Sequence, residues 1–253
     1  MIKSLDRISY LTNSLEEAEK TFSAFFGAKP LKKVISKDRN YESMLYGFEN
    51  MHFEIIKKND DSSEEDKLCG FSLLSDDLTR LNISTSYDEY ENNEESDNKT
   101  QLVKCIDIKQ SPDFQLSVNE YENFDMNPSN ENNLFALDHL VLTTNKSDAL
   151  INLYEKELGI RLALDQFVEK WGGRMLFFRT GHATIEVIDN KVEGNDQFWG
   201  LAWKTKDIRK KREYLVENGF NVSDVKDGRK KDTLVATVKF DKVKIPTLLV
   251  EHL

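Results

Sequence analysis

The chain has 253 residues, 39% of them hydrophobic, and a formal net charge of -10. That length holds two domains of ordinary size, and the acidic balance argues against a nucleic-acid partner, which needs a basic face. No apolar stretch is long enough to span a bilayer and no charged-then-apolar leader stands at the start, so a cytoplasmic protein away from membranes is expected.

Taken along the chain, the first half opens with Leu5-Asp6-Arg7-Ile8 in a strand, then Thr12-Asn13 and a helical stretch ending at Gly27. Met51-His52-Phe53-Glu54-Ile55-Ile56 reads as a later strand, with His52 and Glu54 on one face. Gly70–Ser75 begins a second unit, with a short helix near Asp77–Asn82 and late strands over Leu102–Ile108 and Phe114–Asn119. Tyr87–Thr100 is acidic and Asn-rich and is expected to be a surface loop. Cys69 and Cys105 have no CxxC spacing and are expected to stay reduced.

After a polar stretch, the same order returns. Leu137-Asp138-His139-Leu140 is followed by Thr144-Asn145, a helix capped at Ser147-Asp148, and Gly159 as its stop. Strands are predicted over Arg161–Phe167, Arg174–Arg179 and Thr184–Ile188, with Gly172-Gly173 and Thr180-Gly181 as turns. Trp199–Thr205, a helix capped by Asp207, Phe220–Val225, Thr233–Phe240 and Thr247–Glu251 complete the chain. The basic run Arg209-Lys210-Lys211-Arg212 falls on that helix and is expected to be a solvated face. Leu5 to Gly27 and Leu137 to Gly159 both span 22 residues, and Arg7 to Glu54 and His139 to Glu186 both span 47. Matched intervals with matched local chemistry mark an internal duplication. Arg7 should therefore overlie His139, and Glu54 should overlie Glu186. The expected fold class is α+β: four βαβββ modules paired as an N-terminal domain (1–122), a linker (123–133) and a C-terminal domain (134–253).

Leu137-Asp138-His139-Leu140-Val141, Leu176-Phe177-Phe178-Arg179-Thr180-Gly181 and Ile185-Glu186-Val187 resemble the vicinal oxygen chelate superfamily, which includes glyoxalases, bleomycin-sequestering proteins and extradiol dioxygenases. The resemblance implies two domains with cupped mixed sheets, and up to four metal-ligand places on each cup. It carries His139 and Glu186 to the first two places in the C-terminal cup. Gly200 falls on the third and has no ligating side chain. Glu251 matches the fourth through Leu249-Val250-Glu251, whereas a strict register puts Thr247 there. A divalent metal (zinc, nickel, manganese or iron) held by His139, Glu186 and Glu251 is one implied reading, with Glu186 or Glu251 as general base. The other is a metal-free protein that binds or sequesters a small oxygenated organic molecule. Either places the functional pocket in the C-terminal cup and is compatible with a monomer or homodimer. In the N-terminal half, Arg7 and Glu54 suit an ion pair better than a metal, so that half is expected to be structural. Of the other candidates, His182 and His252 are expected to be exposed. Arg174 and Arg179 should face opposite sides of their strand.

Overall fold

The structure, a computed structural model, describes residues 1–59, 65–83, 86–94, 100–122, 134–169, 173–189, 193–240, 243 and 245–253. The residues expected as linker, and Trp171-Gly172, lie outside that set. The fold is α+β, with two sheet systems and few helices.

The first half contributes β1 (Ile2–Leu11), β2 (Lys32–Ser36), β3 (Tyr41–Gly47), β4 (His52–Lys58), β5 (Lys67–Ser75), β6 (Asp88–Glu94), β7 (Thr100–Ile108) and β8 (Gln115–Tyr121). They close into a barrel in the order β1-β4-β3-β2-β6-β7-β8-β5. Helix α1 (Leu15–Phe26) buries Leu15, Ala18, Phe22, Phe25 and Phe26, spaced three or four apart as one helical face requires. Ser14 caps its start by accepting from Glu17 N, and Gly27 ends it at φ 73°. A 3₁₀ turn over Leu78–Arg80 stands where a short helix was expected.

Within the acidic segment expected as a loop, Asp88–Glu94 is instead a strand, and 95–99 lie outside the described residues. β6 pairs with β7 and, through Val34↔Glu94 and Ile35↔Asn93, with β2, which closes the barrel. Its composition hides a period of two. Tyr90 and Asn92 are buried inward while Glu89 and Glu91 face water.

The second half contributes β9 (Leu134–Thr144), β10 (Arg161–Val168), β11 (Gly173–Thr180), β12 (Ala183–Asp189), β13 (Gln197–Thr205), β14 (Asn221–Val222), β15 (Lys226–Asp227), β16 (Thr233–Lys239) and β17 (Thr247–His252). Its sheet runs β10-β11-β12-β9-β13-β17-β16-β14, with β15 on β16, and it stays open. β14 and β15 are two residues each and are split by Ser223–Val225, so the expected strand over Phe220–Val225 is too short to reach β10 and close a barrel.

Helix α2 (Ser147–Ile151) passes into a π-helical turn over Asn152–Glu157, where Leu158 N reaches Leu153 O at 3.0 Å. Ser147 is not its cap, since its hydroxyl donates to Asp189 at 2.6 Å. Helix α3 (Ile208–Glu217) begins at Asp207 as expected, its carboxylate accepting from Lys210 N. Lys211 departs from the solvated-face expectation. It is buried, and its ammonium donates to Phe25 O at 2.6 Å, so α3 closes the carbonyl end of α1 across the two halves. Tyr214 adds a bond to Ala24 O at 3.0 Å. The halves share one core here, with Trp203 of β13 packed among Phe25, Phe26, Phe48 and Phe53.

The duplication holds at the level of register. β1 and β4 are parallel with Ser9↔Glu54, and β9 and β12 are parallel with Val141↔Glu186. Arg7 thus corresponds to His139, and Glu54 to Glu186.

Candidate functional site

Each concave face is organised around a bulge. Leu5 and Arg7 pair with the consecutive residues Leu73 and Ser72, leaving Asp6 as the extra residue. Leu137 and His139 likewise pair with Trp203 and Ala202, leaving Asp138 extra. A bulge breaks strand alternation, so Asp6 comes beside Arg7 and Asp138 beside His139.

In the C-terminal cup His139 Nδ1 lies 2.8 Å from Asp138 Oδ2, and His139 Nε2 faces Glu186 Oε2 at 3.6 Å. Asp138 Oδ1 is also 2.7 Å from His252 Nε2 and 3.7 Å from Lys204 Nζ. Burial pushes the Glu186 carboxyl above its ordinary range, offset in part by His139 and Arg229. Burial opposes ionisation of Asp138 as well, but hydrogen bonds from His139 and His252 outweigh it and hold that carboxyl well below the usual range. His252 is exposed, as expected, and its ring is held by Asp138. Arg174 and Arg179 do take opposite faces: Arg174 binds Asp165 and Asp148 on the helix side, and Arg179 donates to Thr184 at 2.9 Å.

The two remaining ligand places do not carry ligands. A Cβ on Gly200 would stand 2.5 Å from Pro246 O, so the backbone approach there admits only glycine. Glu251, expected as ligand and base, is not in the cup. It shares a strand face with the fully buried Leu249, and its carboxylate accepts from Ile208 N at 2.8 Å, capping α3. Glu120 does the same in the first half, accepting from Leu78 N at 2.8 Å. Thr247 is excluded too, its hydroxyl bonding Ile245 O at 3.0 Å. The register equivalent of Glu186 in the last module is Leu248. Glu186 pairs with Val141, two residues beyond His139, and Leu248 pairs with Ala202, two beyond Gly200. His139 and Glu186 thus stand with a glycine and a leucine. Among the described residues no three His, Cys, Asp or Glu side chains converge to hold a metal ion, so the donor set does not fit a resident divalent metal of three or four protein ligands.

In the N-terminal barrel the same positions carry a buried network. Arg7 Nε lies 3.2 Å from Asp6 Oδ2, its Nη1 lies 3.2 Å from Glu54 Oε2, and its Nη2 donates to Tyr121. Asp6 Oδ2 also accepts from Ser72, Asn119 and Tyr121. Burial would raise the Asp6 pKa, but Arg7, His52 and these donors together lower it. Tyr121 stands to Asp6 as His252 stands to Asp138. The Arg7–Glu54 pair is the one the sequence suggests, while Asp6, Tyr121 and Asn119 were missed. The visible signal was the Leu-Asp pair present in both copies.

Residues 138–237 match the family model of the glyoxalase/bleomycin resistance protein/dioxygenase superfamily. Among solved structures the chain is similar to a mutant 4-hydroxymandelate synthase from Streptomyces coelicolor, with TM-score 0.73 and 11% identity over 99% of this chain and 93% of that one. It is also similar to an Mn(II)-bound glyoxalase from Novosphingobium aromaticivorans, with TM-score 0.65 and 11% identity over 100% and 83% of the two chains. A third is the halotolerant catechol dioxygenase BphC, with TM-score 0.63 and 10% identity over 99% and 87%. No curated protein sequence matches. At these identities the structures speak to the fold alone. The family match lies in the C-terminal half, and the solved structures extend a likeness of fold over the whole chain.

Proposed function

We propose that the C-terminal cup binds a small oxygenated organic molecule without a resident metal, with Glu186 and His139 as its polar contacts. The observation that carries this is the placement of Glu186 Oε2 3.6 Å from His139 Nε2 on the concave face, with Asp138 holding the other ring nitrogen. Asp138 accepts from Nδ1–H in the tautomer whose Nε2 is an acceptor towards the cup. A carboxyl whose pKa is raised by burial, beside that acceptor, can take a proton from a bound hydroxyl or from a carbon next to a carbonyl. Leu248 and Gly200 leave the rest of the cup floor to apolar contact. The test is direct: protein purified without chelator is analysed for zinc, nickel, manganese and iron, then metal-stripped and titrated calorimetrically with catechol and with a 2-hydroxy acid. Binding by metal-stripped protein, lost in His139→Ala and Glu186→Gln, is the expected result. Binding that requires added Mn(II) or Fe(II), or a stoichiometric metal lost in His139→Ala, would overturn the metal-free reading.

A further inference from the structure

The duplication supplies an internal control for the N-terminal barrel. Small barrels are normally filled by their own side chains, yet this one holds a half-open cavity of about 70 Å³. Three serines, Ser9, Ser72 and Ser117, line it on the paired strands β1, β5 and β8. By register their counterparts in the other half are Val141, Ala202 and Leu248. The half that lacks the His/Glu pair thus carries hydroxyls where the other half carries apolar side chains.

The lining has hydrogen-bonding capacity that the protein does not use. Tyr90 is 7% exposed, and neither its hydroxyl nor that of Tyr41 has a hydrogen-bond partner among the described residues. Asn119 is 3% exposed, and its Oδ1 has no partner while its amide donates to Asp6 and Tyr121. The charges, in contrast, are already matched. Arg7 is met by Asp6 and Glu54, and Arg39 lies 3.6 Å from Asp107 with its guanidinium 4.1 Å over the Tyr90 ring. An anionic guest would find committed cations and two nearby carboxylates. A neutral guest with hydroxyl and carbonyl oxygens would find two phenol donors, an amide acceptor and an aromatic wall.

We infer that the N-terminal barrel is a second binding site, taking a small uncharged oxygen-bearing molecule of hydroxy-carbonyl or diol type between Tyr41, Tyr90 and Asn119. A water needs about 10–15 Å³ of such space, so the cavity holds about five non-hydrogen atoms. Burial raises both phenol pKa values, so both hydroxyls stay protonated as donors at neutral pH. Burial likewise lifts the Cys69 thiol, which lines the same cavity, to about 12, leaving it unreactive.

Titration of the full chain with hydroxyacetone, followed by amide NMR, tests the site. Saturable shifts at Ser9, Gly70 and Ser117 are expected, with a dissociation constant on the order of a millimolar for so small a guest. Ser117→Leu and Ser9→Val import the residues of the other half and should each weaken binding at least about tenfold while the spectrum stays folded. Shifts that never saturate, that survive in whichever variant is folded, or that acetate produces at lower concentration would each overturn the assignment. The readout lies in the N-terminal half and both variants leave Glu186 in place, so its failure is separate from failure of the C-terminal reading.

Discussion

One half of this molecule closes its sheet and the other leaves it open, and the same three positions behave differently in consequence. Asp6, Arg7 and Glu54 sit inside the barrel, where Asp6 is 0% and Glu54 2% exposed. Asp138, His139 and Glu186 sit in an open cup, with side chains 16–21% exposed. A fixed guanidinium suits the first setting, because two buried carboxylates require a permanent countercharge. An imidazole suits the second, because partial solvation lets it exchange protons and partners. Closure therefore goes with a buried, mutually committed network, and opening with groups left partly accessible to solvent.

The sharpest way to break that comparison is to remove the central side chain of each set. Arg7→Met strands the Asp6 and Glu54 carboxylates in the barrel and should cost about 3–5 kcal/mol. His139→Ala should cost about 1 kcal/mol or less, since Asp138 keeps His252 and Lys204 as partners and Glu186 can reach water. Urea denaturation of both variants measures the difference. Equal losses would mean that the open cup is as much a structural network as the barrel.

A second test uses pH. Burial, against Asp6 and with Arg7, lowers the pKa of His52 from 6.5 to about 4. Because the unfolded chain binds the proton first, the stability His52 contributes is present above about pH 6.5 and is lost as pH falls towards 4. The full loss is up to about 3 kcal/mol. His52→Gln should flatten that slope. A wild type whose stability is level between pH 6.5 and 4 would show that His52 is not held neutral. The open half has Thr184 at the matching position and no such dependence from it.

Much of this was legible in the sequence, and the parts that were not share a cause. The equal 47-residue intervals fix Arg7 on His139 and Glu54 on Glu186, because each pair spans one module whose strands keep their spacing. Gly70 and Gly200 share one place of the repeat by register, and the reason for them is close backbone packing, against Gln115 O and Pro246 O. Asp138 and His252 were not read as part of the site, because a bulge inverts the alternation from which faces are inferred. The strand β6 was missed because acidic outward residues mask the inward Tyr90 and Asn92. Local strings cannot report sheet register, and Glu251 shows the cost. Leu249-Val250-Glu251 echoes Thr184-Ile185-Glu186, yet the pairing with β13 turns the two glutamates to opposite faces.

The smallest expected effect is also the most specific. Glu120 and Glu251 occupy one position of the repeat, and each accepts from the first backbone N–H of the helical turn beside it, Leu78 and Ile208. A carboxylate at a helix start satisfies an orphan donor and faces the positive end of the dipole. Glu251→Gln keeps an acceptor and removes the charge, so it should cost about 0.5–1 kcal/mol. Glu120→Gln should cost less, because its 3₁₀ turn is a single turn long and the ion pair with the part-exposed Lys104 at 3.3 Å, lost with the charge, adds little. Neither change should alter ligand binding in the C-terminal cup, whereas Glu186→Gln should abolish it. Calorimetric titration of the three variants with the same ligand separates the roles. Loss of binding in Glu251→Gln with stability unchanged would return that residue to the site and undo the equivalence of the two caps.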